Sequence, residues 1–303
     1  MMTADRTRYI EIDVRSALNR VDSDRLPGLK WSLNPYRGCR HGCVYCYARY
    51  THTFLELDPD ADFTGTVFVK RNLVQALRQD LRRPGWRREH VSIGTATDPY
   101  QPIEGRYRLT QGALQVLYEQ RTPASLITKN TMAVRDAEIM AALARRTGFR
   151  LIMSITTLDE ALARTLEPDV PGPYQRLAAV RTLAQAGVPV AVAVAPVLPG
   201  LNDDEAGLQR VIEAAYDHGA DLAFHQVLRL YDATRPTLFR YLEKHRPDLL
   251  PRYRRMYGSG REAPPSYREA IAARIAALDR RLQPQRPPAR LPESEGGQWA
   301  LPW

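Results

Sequence analysis

The chain has 303 residues, 44% of them apolar, which is enough for one large core or two small ones. Lys and Arg number 43 against 34 Asp and Glu, and the resulting charge of +9 favours a polyanionic partner without requiring one. No apolar run reaches the ~18 residues of a membrane span, and the opening Met-Met-Thr-Ala-Asp-Arg lacks a signal peptide's apolar segment, so the expectation is a cytoplasmic protein with no membrane partner.

Residues 1–28 show no periodic segment apart from 14–21 and are expected to form an N-terminal extension. From residue 31 onward, short β-rich runs alternate with helical patterns, the signature of βα units and a parallel sheet. Strands are predicted over 31–33, 91–96, 125–128, 150–155, 188–194 and 222–227. Helices are predicted near 44–54, 73–82, 110–120, 135–146, 174–186 and 203–218. Residues 66–70 read equally as a strand or a loop. Thr110 and the acidic turn at 202–205 read as helix starts, and Gly148, Gly187 and Gly219 as helix ends.

Six such units predict an α/β fold, a partial (β/α)6 TIM-like barrel over 29–232, with its site at the carboxyl ends of the strands. Beyond residue 231 the pattern is helical, at 236–245, 247–257 and 267–282, which predicts a small helical C-terminal region over 233–283. Residues 284–303, rich in Pro, Glu and Gly, read as a tail pinned by Trp299 and Trp303.

All three cysteines fall in one stretch, Cys39-Arg-His-Gly-Cys43-Val-Tyr-Cys46. Thiolates at C-x₃-C-x₂-C spacing can hold three corners of a [4Fe-4S] cubane and leave the fourth iron open for chemistry. A zinc site is the rival, with His41 or His52 as fourth ligand, although structural zinc usually draws on a second cysteine pair. Disulfide pairing would leave one cysteine over. Gly38 and Gly42 let the chain bend round a cluster, and Arg37, Arg40 and His41 add donors or ordinary surface charge.

The segment Asn34-Pro-Tyr-Arg-Gly-Cys39 through Cys46-Tyr47-Ala resembles the cluster loop of the radical S-adenosylmethionine (SAM) enzymes, above all their spore photoproduct lyase-like branch. Tyr45 fills the family's aromatic position before the third cysteine. The resemblance implies that SAM chelates the open iron and is cleaved by an electron from the cluster. A 5′-deoxyadenosyl radical then abstracts a substrate hydrogen, and a flavodoxin or ferredoxin supplies the electron. It implies cofactor contacts from Tyr45, from Thr95, Thr97 and Asp98 after the second strand, and from Lys129 after the third. Ser154, beside Thr156 and Thr157, and Val197 in the Pro-Gly turn at 196–202 complete that set.

Tyr45 and Tyr47 match tyrosines that pass a hydrogen atom in the lyase branch, so both are candidate catalytic residues. The branch's donor cysteine has no counterpart, because the matching stretch reads Gly94-Thr-Ala-Thr-Asp98. Lesion reversal by that route is therefore not expected. Lys129 also stands out unaided, as one of four lysines in a chain that otherwise uses arginine. His225 and Gln226 lie on the last predicted strand, where a lone histidine reads as a packed core residue rather than a ligand.

Basic tracts lie at 78–88, 240–255 and 274–290, the second interleaved with Tyr241, Tyr253 and Tyr257. Three readings follow: radical chemistry on nucleic acid, the same chemistry on a peptide or small metabolite, or a zinc- or cluster-stabilised nucleic-acid-binding protein. Tracts round the barrel mouth would favour a polyanion, and tracts on the outer helices a metabolite.

Overall fold

The computed structural model describes residues 7–21, 29–258 and 260–283. The described residues form ten strands: β1 (Arg8–Ile12), β2 (Leu18–Arg20), β3 (Trp31–Leu33), β4 (Tyr36–Arg37), β5 (Thr66–Lys70), β6 (Val91–Ile93), β7 (Ala124–Thr128), β8 (Phe149–Ser154), β9 (Val190–Val197) and β10 (Asp221–Val227). The apolar run of Val, Ala and Pro in β9 lies inside the sheet between β8 and β10 and is mostly buried on both faces, as a parallel strand under helices must be.

β3, β6, β7, β8, β9 and β10 are parallel and neighbour one another in sequence order, with β2 antiparallel on the outer side of β3. The sheet does not close, so the fold is the open α/β partial barrel that six βα units predict. Helices Leu73–Leu81, Leu109–Glu119, Ala137–Thr147, Pro173–Gln185 and Glu205–Asp217 connect the strands. Helices Arg235–His245, Leu250–Tyr257 and Pro265–Leu282 follow β10, and the last packs on β10 and on Glu205–Asp217, shielding that edge from further pairing. Among the described residues no helix is long and apolar enough to cross a membrane.

The local differences from the sequence reading have physical causes. The N-terminal region contributes β1 and β2, although β1 is largely exposed and so shows no apolar stripe. It is defined by pairing, parallel to β5 in a small sheet ordered β1-β5-β4. The expected helix at 44–54 is a 3₁₀ turn, Tyr47–Arg49, and a single turn, Tyr50–Thr53, with Glu56 at φ 57° just beyond. Within the acidic turn at 202–205, Asp204 caps its helix by accepting the Gly207 N–H at 2.7 Å. An unforeseen helix, Glu160–Leu166, is capped by Asp159. The tail at 284–303, with Trp299 and Trp303, lies outside the described residues.

Gly94 shows how tightly the strand ends are built. Its φ is +87°, and an added Cβ would lie 2.5 Å from the Ile127 carbonyl and 2.7 Å from Pro99 Cδ. Gly94→Ala should lower the unfolding free energy by about 2 kcal/mol or more in urea titration, because left-handed strain and a backbone clash add. An unchanged midpoint would show that the turn relaxes freely.

Candidate active site

β4 runs straight into the cysteine loop at the carboxyl end of the sheet. Gly38 turns the chain at φ +84°, where a Cβ would meet the Thr66 carbonyl at 2.7 Å. Two segments clamp the loop. On one side, buried Gln101 donates to Gly38 O (3.1 Å) and accepts from Arg40 N (3.1 Å), while Thr97 Oγ1 donates to Gly38 O (2.7 Å). On the other, Leu166 O accepts from Val44 N (3.0 Å), and Asp169 pairs with Arg40 (2.7 Å). Thr234, beyond β10, donates to Cys46 O at 2.8 Å.

Cys39 and Cys43 are buried and Cys46 is half-buried, and none is in a disulfide. Burial, with Cys39 beside it, pushes the Cys46 thiol up to about 11, and burial with Glu167 nearby raises the Cys43 thiol well above its ordinary range. Thiolates here therefore need a compensating cation or metal, whose binding would release the protons. Arg49 is such a cation. It is 3% exposed, lies within electrostatic reach of all three cysteines and donates to Cys43 O at 3.3 Å. Its Nε–H has no partner among the described residues.

A buried guanidinium with a spare donor, set against three thiols on one loop, fits an anionic iron–sulfur cluster. Among the described residues no three His, Cys, Asp or Glu side chains converge on a single ion position. A cubane instead takes one thiolate at each of three separated corners. His41 is occupied by Asp98 (Nδ1, 3.3 Å) and Asn130 (3.1 Å), and His52 Nε2 by Thr66 O (3.0 Å).

Below the loop, the strand ends converge on one carboxylate that the sequence reading missed. Glu167, 2% exposed, receives Arg176 at 2.6 Å, Lys129 at 3.2 Å, Thr156 at 2.7 Å and the hydroxyl of Tyr45. Burial alone would raise its carboxyl, but Arg176 and Lys129 outweigh burial and hold it well below the carboxylate range. Arg176, 1% exposed, also donates to Ser154 O at 2.8 Å. Lys129 lies 5.7 Å from the Tyr45 ring centroid, and its Nζ is 3.5 Å from Ala195 O. Lys129, Tyr45, Thr156 and Ser154 therefore form one group.

The other predicted residues take varied places. Asp98 accepts from Thr128 Oγ1 (2.7 Å), Tyr100 N (2.9 Å) and Lys129 N (2.7 Å), so it ties strand ends to His41. Thr97 is taken up by the cysteine loop, while Thr95 accepts from Asn34 Nδ2 at 3.2 Å. Tyr47 stays 43% exposed and donates to Thr95 O. Val197 is buried, and the neighbouring turn is held by Asn202, which donates to Thr156 O (2.7 Å) and Pro196 O (3.1 Å). His225 is half-buried on β10, and burial lowers its pKa.

Of the basic tracts, 78–88 lies at the helix end before β6, opposite the cysteine loop, and the described part of 274–290 lies on the outer helix. The tract at 240–255 borders the mouth, where Arg240 meets Asp60 and Arg246 reaches Gly200 O at 3.4 Å. Much of its charge is met by Asp60, Asp248, Asp203 and Glu243.

The Radical SAM superfamily model matches residues 33–210, more than half of the chain, and the chain belongs to that superfamily. It is thus an enzyme of the radical SAM class. It is similar to the uncharacterized protein Rv2578c of Mycobacterium tuberculosis, 39% identical over 274 residues that cover 90% of this chain and 81% of that one. The uncharacterized protein MJ0683 of Methanocaldococcus jannaschii is 27% identical over 196 residues, 65% of this chain and 71% of that one. Among solved structures, spore photoproduct lyase complexed with dinucleoside spore photoproduct matches with a TM-score of 0.68 at 17% identity, over 91% of this chain and 80% of that one. That likeness is one of fold.

Proposed function

We propose that Cys39, Cys43 and Cys46 hold one [4Fe-4S] cluster, and that the chain uses it with SAM to abstract a hydrogen atom from a nucleic-acid substrate. The observation that carries this is the thiol triplet on a loop clamped over the strand ends, with the spare donor of Arg49 beside it. When bound, the reduced cluster supplies the electron that splits SAM into methionine and a 5′-deoxyadenosyl radical.

The protein's own residues orient and enclose. Lys129 has three N–H donors, and Glu167 and Ala195 O take two directions, which leaves one for the SAM carboxylate. Tyr45, held by Glu167 and Thr156, offers its ring as a wall. Ser154 and Val197 flank the same space, with Thr95, Thr97 and Asp98 shaping its other side. Tyr47, exposed at the rim, is the candidate to pass a hydrogen atom to the product radical, and the phenoxyl radical left on it would regain one from 5′-deoxyadenosine, or an electron and a proton from the external donor. No cysteine of this sequence lies outside the loop, so no thiol of this sequence is assigned the hydrogen return.

The basic charge and the likeness to a lyase complexed with a dinucleoside photoproduct support a nucleic-acid substrate. The outward placement of two basic tracts favours the peptide or small-metabolite reading. We assign a flavodoxin- or ferredoxin-type donor and a cytoplasmic setting, which protects such a cluster from oxidation. Anaerobic reconstitution, SAM and reductant should yield 5′-deoxyadenosine, with deuterium arriving from labelled DNA or RNA. Zinc in place of iron, or no SAM cleavage, would refute the radical reading. Label from a small metabolite alone would refute the nucleic-acid one.

A further inference from the structure

The rim beside the cysteine loop carries aromatic rings that the core does not need. Tyr47 and Tyr50 both face Tyr231, each at 6.1 Å between centroids, and Phe54 sits edge-on to Tyr50 at 5.7 Å. Phe54 is 72% exposed, and Leu55 beside it is also exposed. Burying Phe54 against neighbours would stabilise the fold, so an open phenyl ring here marks a surface meant for something else.

Cations surround these rings. Arg261 lies 5.1 Å from the centroid of Tyr231, and Arg37 is within electrostatic reach of both Tyr50 and Lys70. The side chains of Arg37 and Lys70 have no hydrogen bond or ion pair among the described residues. Beyond Arg261 opens a cleft of about 820 Å³ lined by Arg229, Arg255, Arg261 and Arg268, with Glu262 as its carboxylate. Glu262 serves Arg229 at 3.6 Å and Arg268 at 3.2 Å, and Arg255 and Arg261 have no carboxylate partner among the described residues. Glu56, Asp58 and Asp232 are the acids nearest in sequence. Asp58 is occupied by the backbone N–H groups of Asp60 and Ala61, and Asp232 faces Arg235.

Exposed rings at the edge of an aromatic cluster, and an adjoining cleft holding two guanidinium groups without a carboxylate partner, match the two parts of an unpaired nucleic-acid strand. Each base offers a π-face, and each linkage a phosphate. A duplex hides its base faces and would leave the rings in water, while a small metabolite would use neither the rings nor the cleft. We propose that this rim binds an unpaired nucleic-acid segment, its bases stacked on the exposed rings of Tyr47 and Phe54, which Tyr50 and Tyr231 back, and its phosphates in the arginine cleft. Such a segment would enter the mouth along Tyr47, the innermost ring, whose hydroxyl reaches Thr95. This rests on the nucleic-acid reading of the substrate and narrows it to single-stranded or locally opened sites.

The test is fluorescence anisotropy of the reconstituted full chain with a labelled single strand and its matched duplex. The single strand should bind about tenfold tighter, and Phe54→Ala should weaken it about tenfold while Phe54→Trp restores it. Arg255→Ala should flatten the plot of log affinity against log salt by about 0.7 for each phosphate it no longer neutralises. Phe54 is exposed, so thermal unfolding of the variant serves as the folding control. Equal affinity for duplex and single strand, or an affinity insensitive to both Phe54→Ala and Arg255→Ala, would overturn the proposal. So would a Phe54→Ala protein that binds strand normally but accepts electrons slowly from a flavodoxin, since the rim would then be a protein-docking face. SAM cleavage by the same preparation reads the cluster chemistry separately, so failure of either idea shows on its own.

Discussion

Glu167→Ala should lower the unfolding free energy by about 3–5 kcal/mol in urea titration, among the largest losses any single replacement in this chain would produce. The carboxylate faces Arg176 at 2.6 Å and Lys129 at 3.2 Å and accepts the hydroxyls of Thr156 and Tyr45. Alanine would leave Arg176, almost wholly buried, without a countercharge, and that stranded cation sets the size of the loss. Glutamine keeps the volume and part of the hydrogen bonding, so Glu167→Gln isolates the charge.

The acid limb separates the two variants further. Arg176 and Lys129 overcome burial and hold the native pKa of Glu167 below its unfolded value of ~4.3. Its stabilisation is therefore complete above that value and is lost as pH falls toward the native pKa. Wild type should lose stability steeply below about pH 4, and Glu167→Gln should show a shallower limb. Parallel limbs would mean that the carboxylate titrates normally and that the ionic group does not organise the site. Lys129 also loses its anchor in Glu167→Gln, so the apparent KM for SAM should rise more than kcat falls.

The βα alternation was legible because a strand such as β9 is apolar along its whole length, and because glycines close the intervening helices. The cysteine triplet and the lone lysine at the end of β7 were legible through rarity, in a chain with three cysteines and four lysines. Glu167 and Arg176 were not. One among 34 acids and the other among 43 basic residues, they become special only when Glu160–Leu166 and Pro173–Gln185 bring them together in the interior. Arg49 was hidden for the same reason. A buried charge leaves no local signature, because its partners come from distant elements.

The strand-end polar residues show the reverse limit. Thr97 and Asp98 were identified as polar groups where the chain leaves the sheet, yet the structure commits both to holding loops together. Sequence position told where the mouth is, while the hydrogen bonds told which oxygens there are already taken. Both matter to the chemistry, since a loop clamped on two sides keeps its three thiols in one arrangement before any cofactor arrives.

Cys46→Ala should cut 5′-deoxyadenosine formation by at least about 10³-fold while moving the thermal midpoint of the cluster-free chain little. Cys46 is the most exposed of the three thiols and lies at the margin of the core, so its sulfur contributes little packing. Cys43→Ala, by contrast, also opens space inside the main core and should lower the midpoint as well. The two variants together separate ligation from folding: activity is lost in both, stability chiefly in one. Iron and sulfide content should fall in parallel, because two thiolates cannot occupy three corners. A Cys46→Ala protein that keeps its iron and still cleaves SAM would need another ligand. His41 is held by Asp98 and Asn130, and His52 gives its Nε2 to Thr66. Retained activity would therefore require either the buried, unpartnered Nδ1 of His52 or a rearrangement of this clamped loop, and would count against the assignment of the site.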